Sequence, residues 1–357
     1  MNVNLGARTW ELIRQQAKKI GADVQSLATS YAIERFMVRL MESDPTGRIT
    51  VKGGQSLGIL FGNQMRPTKD LDINVSTDGL DNPKEWAEKI IRAACKCDFG
   101  DGVSIDVATI DVDFREHQGE GGLRITVNAS IHTCRTPFMI DVGIGNEITF
   151  EPSKILVPGV LADHKTAPEP LNARLYPHEN TLAEKIISKV EDGIASIRHK
   201  DFFDIWLSIE TLRRVGDLRL LVIKAEELSE TETALVKVVK DKLSDGTLLE
   251  MPEIAISNDC IERLGLALYR TASHRGTDIP EDISEWLIDE FAEDKLQSTQ
   301  WANWSRNQKN RLLFLPPGTE KGANKDEALR VLFQNIGPVL KDIGTMALSH
   351  NIPSFKL

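Results

Sequence analysis

Asp70 and Asp72 stand two residues apart in Asp70-Leu71-Asp72-Ile73-Asn74-Val75, a run that alternates polar with apolar side chains. Such alternation predicts a β-strand. A strand sends both carboxylates to one face and Leu71, Ile73 and Val75 to the other. Side-by-side carboxylates suit phosphoryl transfer to an alcohol, where two Mg²⁺ ions bridge the attacking oxygen and a nucleoside triphosphate. The same spacing recurs at Asp111-Val112-Asp113, which reads as a solvated strand face, so context must separate the two. Before the first pair come a short strand (Arg48 to Lys52), the sharp turn Gly53-Gly54, and a short buried helix through Phe61. Bare N–H groups at a helix N-terminus attract phosphate, and glycine allows close approach. Gly53, Gly54, Gln55 and Ser56 are therefore candidate nucleotide-binding residues; on pattern alone they also fit a polar strand end beside a tight turn.

A third acid is needed to complete the metal set and take the acceptor's proton. Asp141 lies in the otherwise apolar Phe138-Met-Ile-Asp-Val142, where a carboxylate is costly unless paired or metal-bound. Asp106 competes for the role, and the open face of a sheet is the plainer reading of Asp141. Further on, Thr181-Leu-Ala-Glu184 fits a capping box with Lys185 next in the first turn. A cation there opposes the helix dipole by about 0.3–1 kcal/mol, a penalty that a docked phosphate reverses. The expectation is an exposed lysine whose removal costs little stability. Asp201 and Asp204 share a helical face and would orient Lys185 or contact the nucleotide; an acidic first turn is the alternative.

Other patterns lead elsewhere. Gly54-Gln-Ser56-Leu-Gly58 matches a nucleophile elbow, but the antiparallel reading of 103–150 argues against a hydrolase sheet. Neither a Walker A sequence nor HExxH is present. Trp301 and Trp304 beside Arg306, Lys309 and Arg311 could stack on RNA, although a helix packing its Trp face inward is the commoner arrangement.

The elements that position these residues follow from periodicity. Residues 1–47 read as helical and end at Asp44-Pro-Thr-Gly47, and Pro83 to Cys95 is amphipathic. Three strand-like runs over 103–150, separated by short turns, favour antiparallel pairing. The Pro-rich stretch 151–180 reads as an irregular passage, and from Thr181 onward the pattern is mostly helical. The fold class is thus α+β: a mixed sheet with N-terminal helices over 1–170, then an all-helical region over 171–357.

Of 357 residues 41% are hydrophobic and 27% charged, enough for about two cores. The net charge of −10 argues against a broad nucleic-acid surface while suiting carboxylates that bind cations. The four cysteines show no CxxC pair and read as reduced thiols. No stretch is apolar enough to span a bilayer, and the opening reads as an amphipathic helix rather than an export signal. A cytoplasmic protein is expected.

Taken in order, Gly53-Gly54, Arg66-Pro-Thr68-Lys-Asp70-Leu-Asp72, the Asp141 strand, Thr181-Leu-Ala-Glu-Lys185 and Arg198…Asp201-Phe-Phe-Asp204 resemble the AbiEii/AbiGii nucleotidyltransferase toxins, with an echo at Gln300-Trp301. The match covers most of 48–210. The resemblance implies a nucleotidyltransferase fold followed by a helical domain. It adds Arg66 and Thr68 to the nucleotide-binding set, beside Lys185, Asp201 and Asp204. It also implies Asp70, Asp72 and Asp141 as Mg²⁺ ligands, an NTP substrate, the acceptor end of tRNA as target, a separate antitoxin protein and a part in phage defence. One departure is that Arg198-His-Lys precedes Asp201, where the family pattern has Arg directly before it. Transfer to a small molecule or protein, and nucleotide binding without catalysis, remain the alternatives.

Overall fold

The computed structural model describes residues 4–62, 68–117, 120–157, 159–196, 198–308, 315, 316, 324 and 327–350. Arg66, Lys309 and Arg311 lie outside them. The chain divides into two compact units, the first made of Met1–Ile59, Pro67–Asn146 and Pro152–Tyr176.

The first unit opens with helices α1 (Leu5–Ile20) and α2 (Val24–Ser43), capped by Asn4 and Asp23. Gly21 separates them in the left-handed conformation that glycine adopts without strain. Then follow β1 (Ile49–Lys52), α3 (Gly53–Phe61), β2 (Asp70–Val75) and α4 (Pro83–Lys96). The strands β3 (Val103–Ile105), β4 (Asp111–His117), β5 (Glu120–Val127), β6 (Ala129–Ile131), β7 (Cys134–Arg135), β8 (Phe138–Ile144), β9 (Ser153–Val157) and β10 (Leu171–Leu175) complete it.

A seven-stranded sheet runs β4-β5-β8-β2-β1-β10-β9, and β3, β6 and β7 form a separate three-stranded one. As expected, β4, β5 and β8 pair antiparallel. The β2–β8 and β1–β10 pairs are parallel, so the sheet is mixed. The Pro-rich stretch differs from expectation, because β9 and β10 pair antiparallel and extend the sheet. Residues 171–176 accordingly belong to the sheet and not to the helical region.

One face of this sheet makes the core. Leu71, Ile73 and Val75 of β2, Ile140 of β8 and Ile125 and Val127 of β5 are fully buried. Helices α2 and α4 cover that side, with Phe36 of α2 against Phe138 of β8 at 5.4 Å between ring centroids. Each such side chain contributes roughly 1.5–3 kcal/mol on burial. A buried ion cluster ties α2 to the loop after α4: Arg39 Nη1 lies 2.7 Å and Arg35 Nε 3.1 Å from Asp101 Oδ2.

The second unit comprises Leu60–Arg66, Glu147–Glu151 and Pro177–Leu357. Its helices are α5 (His178–Asp192), α6 (His199–Val215), α7 (Glu230–Asp245), α8 (Asn258–Arg275), α9 (Ile283–Leu287), α10 (Lys295–Asn307) and α11 (Ala328–Ser349). Helix α6 runs through the middle, with Phe202, Phe203, Trp206 and Ile209 fully buried. Trp301 of α10 is also fully buried and stacks on Trp304 at 5.2 Å, while Trp304 meets Phe203 at 5.8 Å. The tryptophan stripe therefore packs inward. All four cysteines are free thiols.

Candidate active site

Cross-strand register assembles the first cluster. Lys52 of β1 pairs with Asp72 of β2, Asp72 with Asp141 of β8, and Asp141 with Arg124 of β5. Residues directly opposite share a face, so four charges form one row across the sheet. Asp70 lies one pleat along on the same face, opposite Met139. The apolar residues between them occupy the core face, and this forces the acids outward. Asp113 of β4 continues the row beyond Arg124, while Asp111 stands opposite Thr126. Asp106 is not in the row; its carboxylate caps a turn by accepting from the Ala108 N–H at 3.2 Å.

Asp141 is not open to ligand on both oxygens. Arg124 donates to it through Nε at 2.6 Å and Nη2 at 2.8 Å, a bidentate fork. Each side chain is about a third exposed, at 33% and 32%. The Asp141 hydrogen bonds, then the charges of Asp141, Asp70 and Asp72, hold the guanidinium above its ordinary pKa.

Gly53 explains its own identity. Its φ is +61°, and a Cβ there would come 2.1 Å from Asp72 Oδ2. The Asp72 carboxylate thus lodges against bare backbone at the start of α3. Gln55 Nε2 and Thr68 Oγ1 both donate toward the Asp70 carbonyl, at 3.4 and 3.3 Å, and brace the start of β2. Gly54 is buried beside them. Ser56 departs from expectation: it is buried, and its hydroxyl donates to the Gly53 carbonyl at 3.0 Å, which spends it on the helix's own first turn. Lys52 gave no signal in the sequence reading. Its Nζ donates to Asn146 Oδ1 at 2.9 Å and lies 5.3 Å from the Tyr176 ring centroid.

Asp70 and Asp72 offer the hard oxygen donors that Mg²⁺ selects, on adjacent outward positions of one strand. The residues therefore fit a divalent cation. Among the described residues no three carboxylates, imidazoles or thiolates converge as a metal group, consistent with Asp141 being turned to Arg124.

The second cluster lies in the second unit, and it corrects the expectation for Lys185. Helix α5 begins at His178 after an uncapped Pro177, which puts Lys185 in its second turn. The side chain is 11% exposed. Its Nζ lies 2.8 Å from Asp201 Oδ1 and 2.7 Å from Asp204 Oδ2, two carboxylates that are themselves buried. The acids orient the lysine and present no open face of their own. Arg198 still reaches Asp201, Nε to Oδ2 at 3.2 Å, despite the two-residue insertion. Burial alone would raise the Asp201 carboxyl, but Lys185, Arg198 and Lys189 outweigh it and hold it well below the usual range. Lys189 was also unread in the sequence. Fully buried, it donates to Ser196 Oγ at 2.7 Å and to the Arg198 carbonyl at 3.0 Å. Desolvation pushes its pKa down to about 8.

Residues 35–331 match the family described as nucleotidyl transferase AbiEii toxin, type IV TA system. The chain belongs to this family. AbiEii membership makes it a nucleotidyltransferase toxin of a two-gene system, with an NTP substrate and an antitoxin partner. A solved relative in shape is MenT4, a nucleotidyltransferase toxin from Mycobacterium tuberculosis H37Rv. It is 14% identical over 73% of this chain and 98% of that one, with a TM-score of 0.42, a likeness too loose to bear on function. No curated protein matches. Among the described residues no helix is long and apolar enough to cross a membrane.

Proposed function

We propose that this AbiEii-family chain transfers a nucleotidyl group from an NTP to a hydroxyl of RNA, the acceptor end of tRNA being the expected target. The row of Asp72 and Asp141, with Asp70 beside them on the same face, carries this reading. The acceptor oxygen forms a bond to the α-phosphorus, the bond to the β-phosphate oxygen breaks, and pyrophosphate leaves. Asp70 and Asp72, with Asp141 as third ligand, would hold Mg²⁺, which when bound neutralises triphosphate charge. Asp141 receives the proton of the acceptor hydroxyl on a carboxylate oxygen. Backbone N–H groups at the start of α3, from Gly54 onward, would cradle phosphate. Lys185, fixed by Asp201 and Asp204, is a functional cation of the second unit in this reading. An antitoxin from a neighbouring gene, cytoplasmic residence and a role in phage defence complete the proposal.

The test is transfer from labelled NTP in Mg²⁺ and total tRNA, comparing the native chain with Asp70→Asn. Label entering tRNA supports the reading; label only in protein or a small product moves the acceptor, and saturable binding without transfer removes catalysis. Asn is nearly isosteric, so the variant keeps packing but loses the anionic ligand. Several kcal/mol of transition-state stabilisation should go, roughly two or more orders of magnitude in rate. Full activity in a folded Asp70→Asn protein contradicts the metal role.

A further inference from the structure

Asp141 faces a conflict. The chemistry proposed above needs its carboxylate, yet both oxygens are engaged by one guanidinium. Arginine stays charged at any relevant pH and its fork matches a carboxylate or a phosphate equally well. With Arg124 in place, Asp70 and Asp72 remain as the carboxylate pair next to it on the shared face. Each partner is a third exposed, so an incoming anion can reach the guanidinium from solvent. A triphosphate on the same face offers Arg124 several more oxygens and more negative charge.

From this we infer that Arg124 is a positioning residue that keeps Asp141 out of the metal set until a nucleoside triphosphate draws the guanidinium away. Metal and nucleotide then enter together. Before that, Asp70 and Asp72 alone face the cation and hold it weakly. The inference rests on the metal site proposed above, and its test reads metal binding rather than turnover.

The probe is Mn²⁺, titrated into the full chain and followed by the paramagnetic resonance of the free ion, with and without an NTP analogue bearing a methylene between the α- and β-phosphates. Without nucleotide, Asp141→Asn should leave Mn²⁺ affinity within about twofold, because that carboxylate is not yet a ligand, whereas Arg124→Gln should tighten it about tenfold or more by adding one anionic ligand. The double variant should lose that gain. With the analogue present, Asp141→Asn should weaken Mn²⁺ binding about tenfold. Arg124→Lys, which keeps the charge but cannot fork onto both oxygens, gives a second measurement should Arg124→Gln fold poorly, and it too should tighten binding. A purely structural Arg124 would leave Mn²⁺ affinity flat or reduced in both variants, and that overturns the inference. A large loss in nucleotide-free Asp141→Asn overturns it as well. Undiminished Mn²⁺ binding by Asp70→Asn sinks the metal site itself, and the Arg124 inference with it.

Discussion

Replacing Lys185 with Met removes one charge from a buried triad while keeping most of the side-chain volume. In the native chain its Nζ serves Asp201 at 2.8 Å and Asp204 at 2.7 Å, with side-chain exposures of 11%, 2% and 0% for Lys185, Asp201 and Asp204. Removing one side of a buried pair costs roughly 3–5 kcal/mol, mainly from the charge left behind. Asp201 keeps Arg198 at 3.2 Å and Lys189 at 3.7 Å, so part of its compensation survives. That points to the lower end, about 3 kcal/mol. For a unit of this size each kcal/mol moves Tm by about 2–4 °C, giving a fall of roughly 6–12 °C. Differential scanning calorimetry reads it directly. The double change Lys185→Met with Asp204→Leu should recover part of the loss, because it also removes one of the two carboxylates that the ammonium neutralises. A fall under about 2 °C in the single variant would show that the ammonium does not neutralise these acids, and the exposed lysine expected from the sequence would stand instead.

Three further outcomes follow from the geometry. Gly53→Ala should abolish transfer and cost about 1–2 kcal/mol, since the left-handed backbone disfavours a Cβ that would also displace the Asp72 carboxylate; activity and urea midpoints check it. Lys189 has a folded pKa lowered to about 8, so between there and its ordinary 10.5 the unfolded chain binds the extra proton, and stability should rise with pH across that window. Against a Lys189→Met reference the native chain should gain up to about 3 kcal/mol, read from urea unfolding at intervals from pH 8 to 10.5, and a flat difference refutes the assignment. Asp111→Asn should leave transfer nearly intact in the labelled-NTP assay, because Asp111 sits on edge strand β4 opposite Thr126 and outside the row of charges.

Local pattern was enough for much of this protein. The alternation at 70–75 marks β2 and sends Asp70 and Asp72 to one face, and the Gly53-Gly54 turn marks the passage from strand β1 into helix α3. Both depend on residues a few positions apart, where the strand and helix periods are set by backbone geometry alone. The tertiary structure decided which strands became neighbours. Parallel pairing of β8 with β2 put Asp141 opposite Asp72, while Asp106 caps a turn, and neither placement follows from the local pattern. Arg124, in an unremarkable strand, acquires meaning only from lying across β8 from Asp141. Strands β9 and β10 arise within a Pro-rich stretch because β1 offers an edge to pair with, and no local period announces that. Lys185 was visible as a cation on a helix, but its burial comes from α6 packing on α5 and bringing Asp201 and Asp204 against it. Pairing and burial join residues far apart in the chain, and their free energy belongs to the assembled fold, where no short window of sequence can carry it.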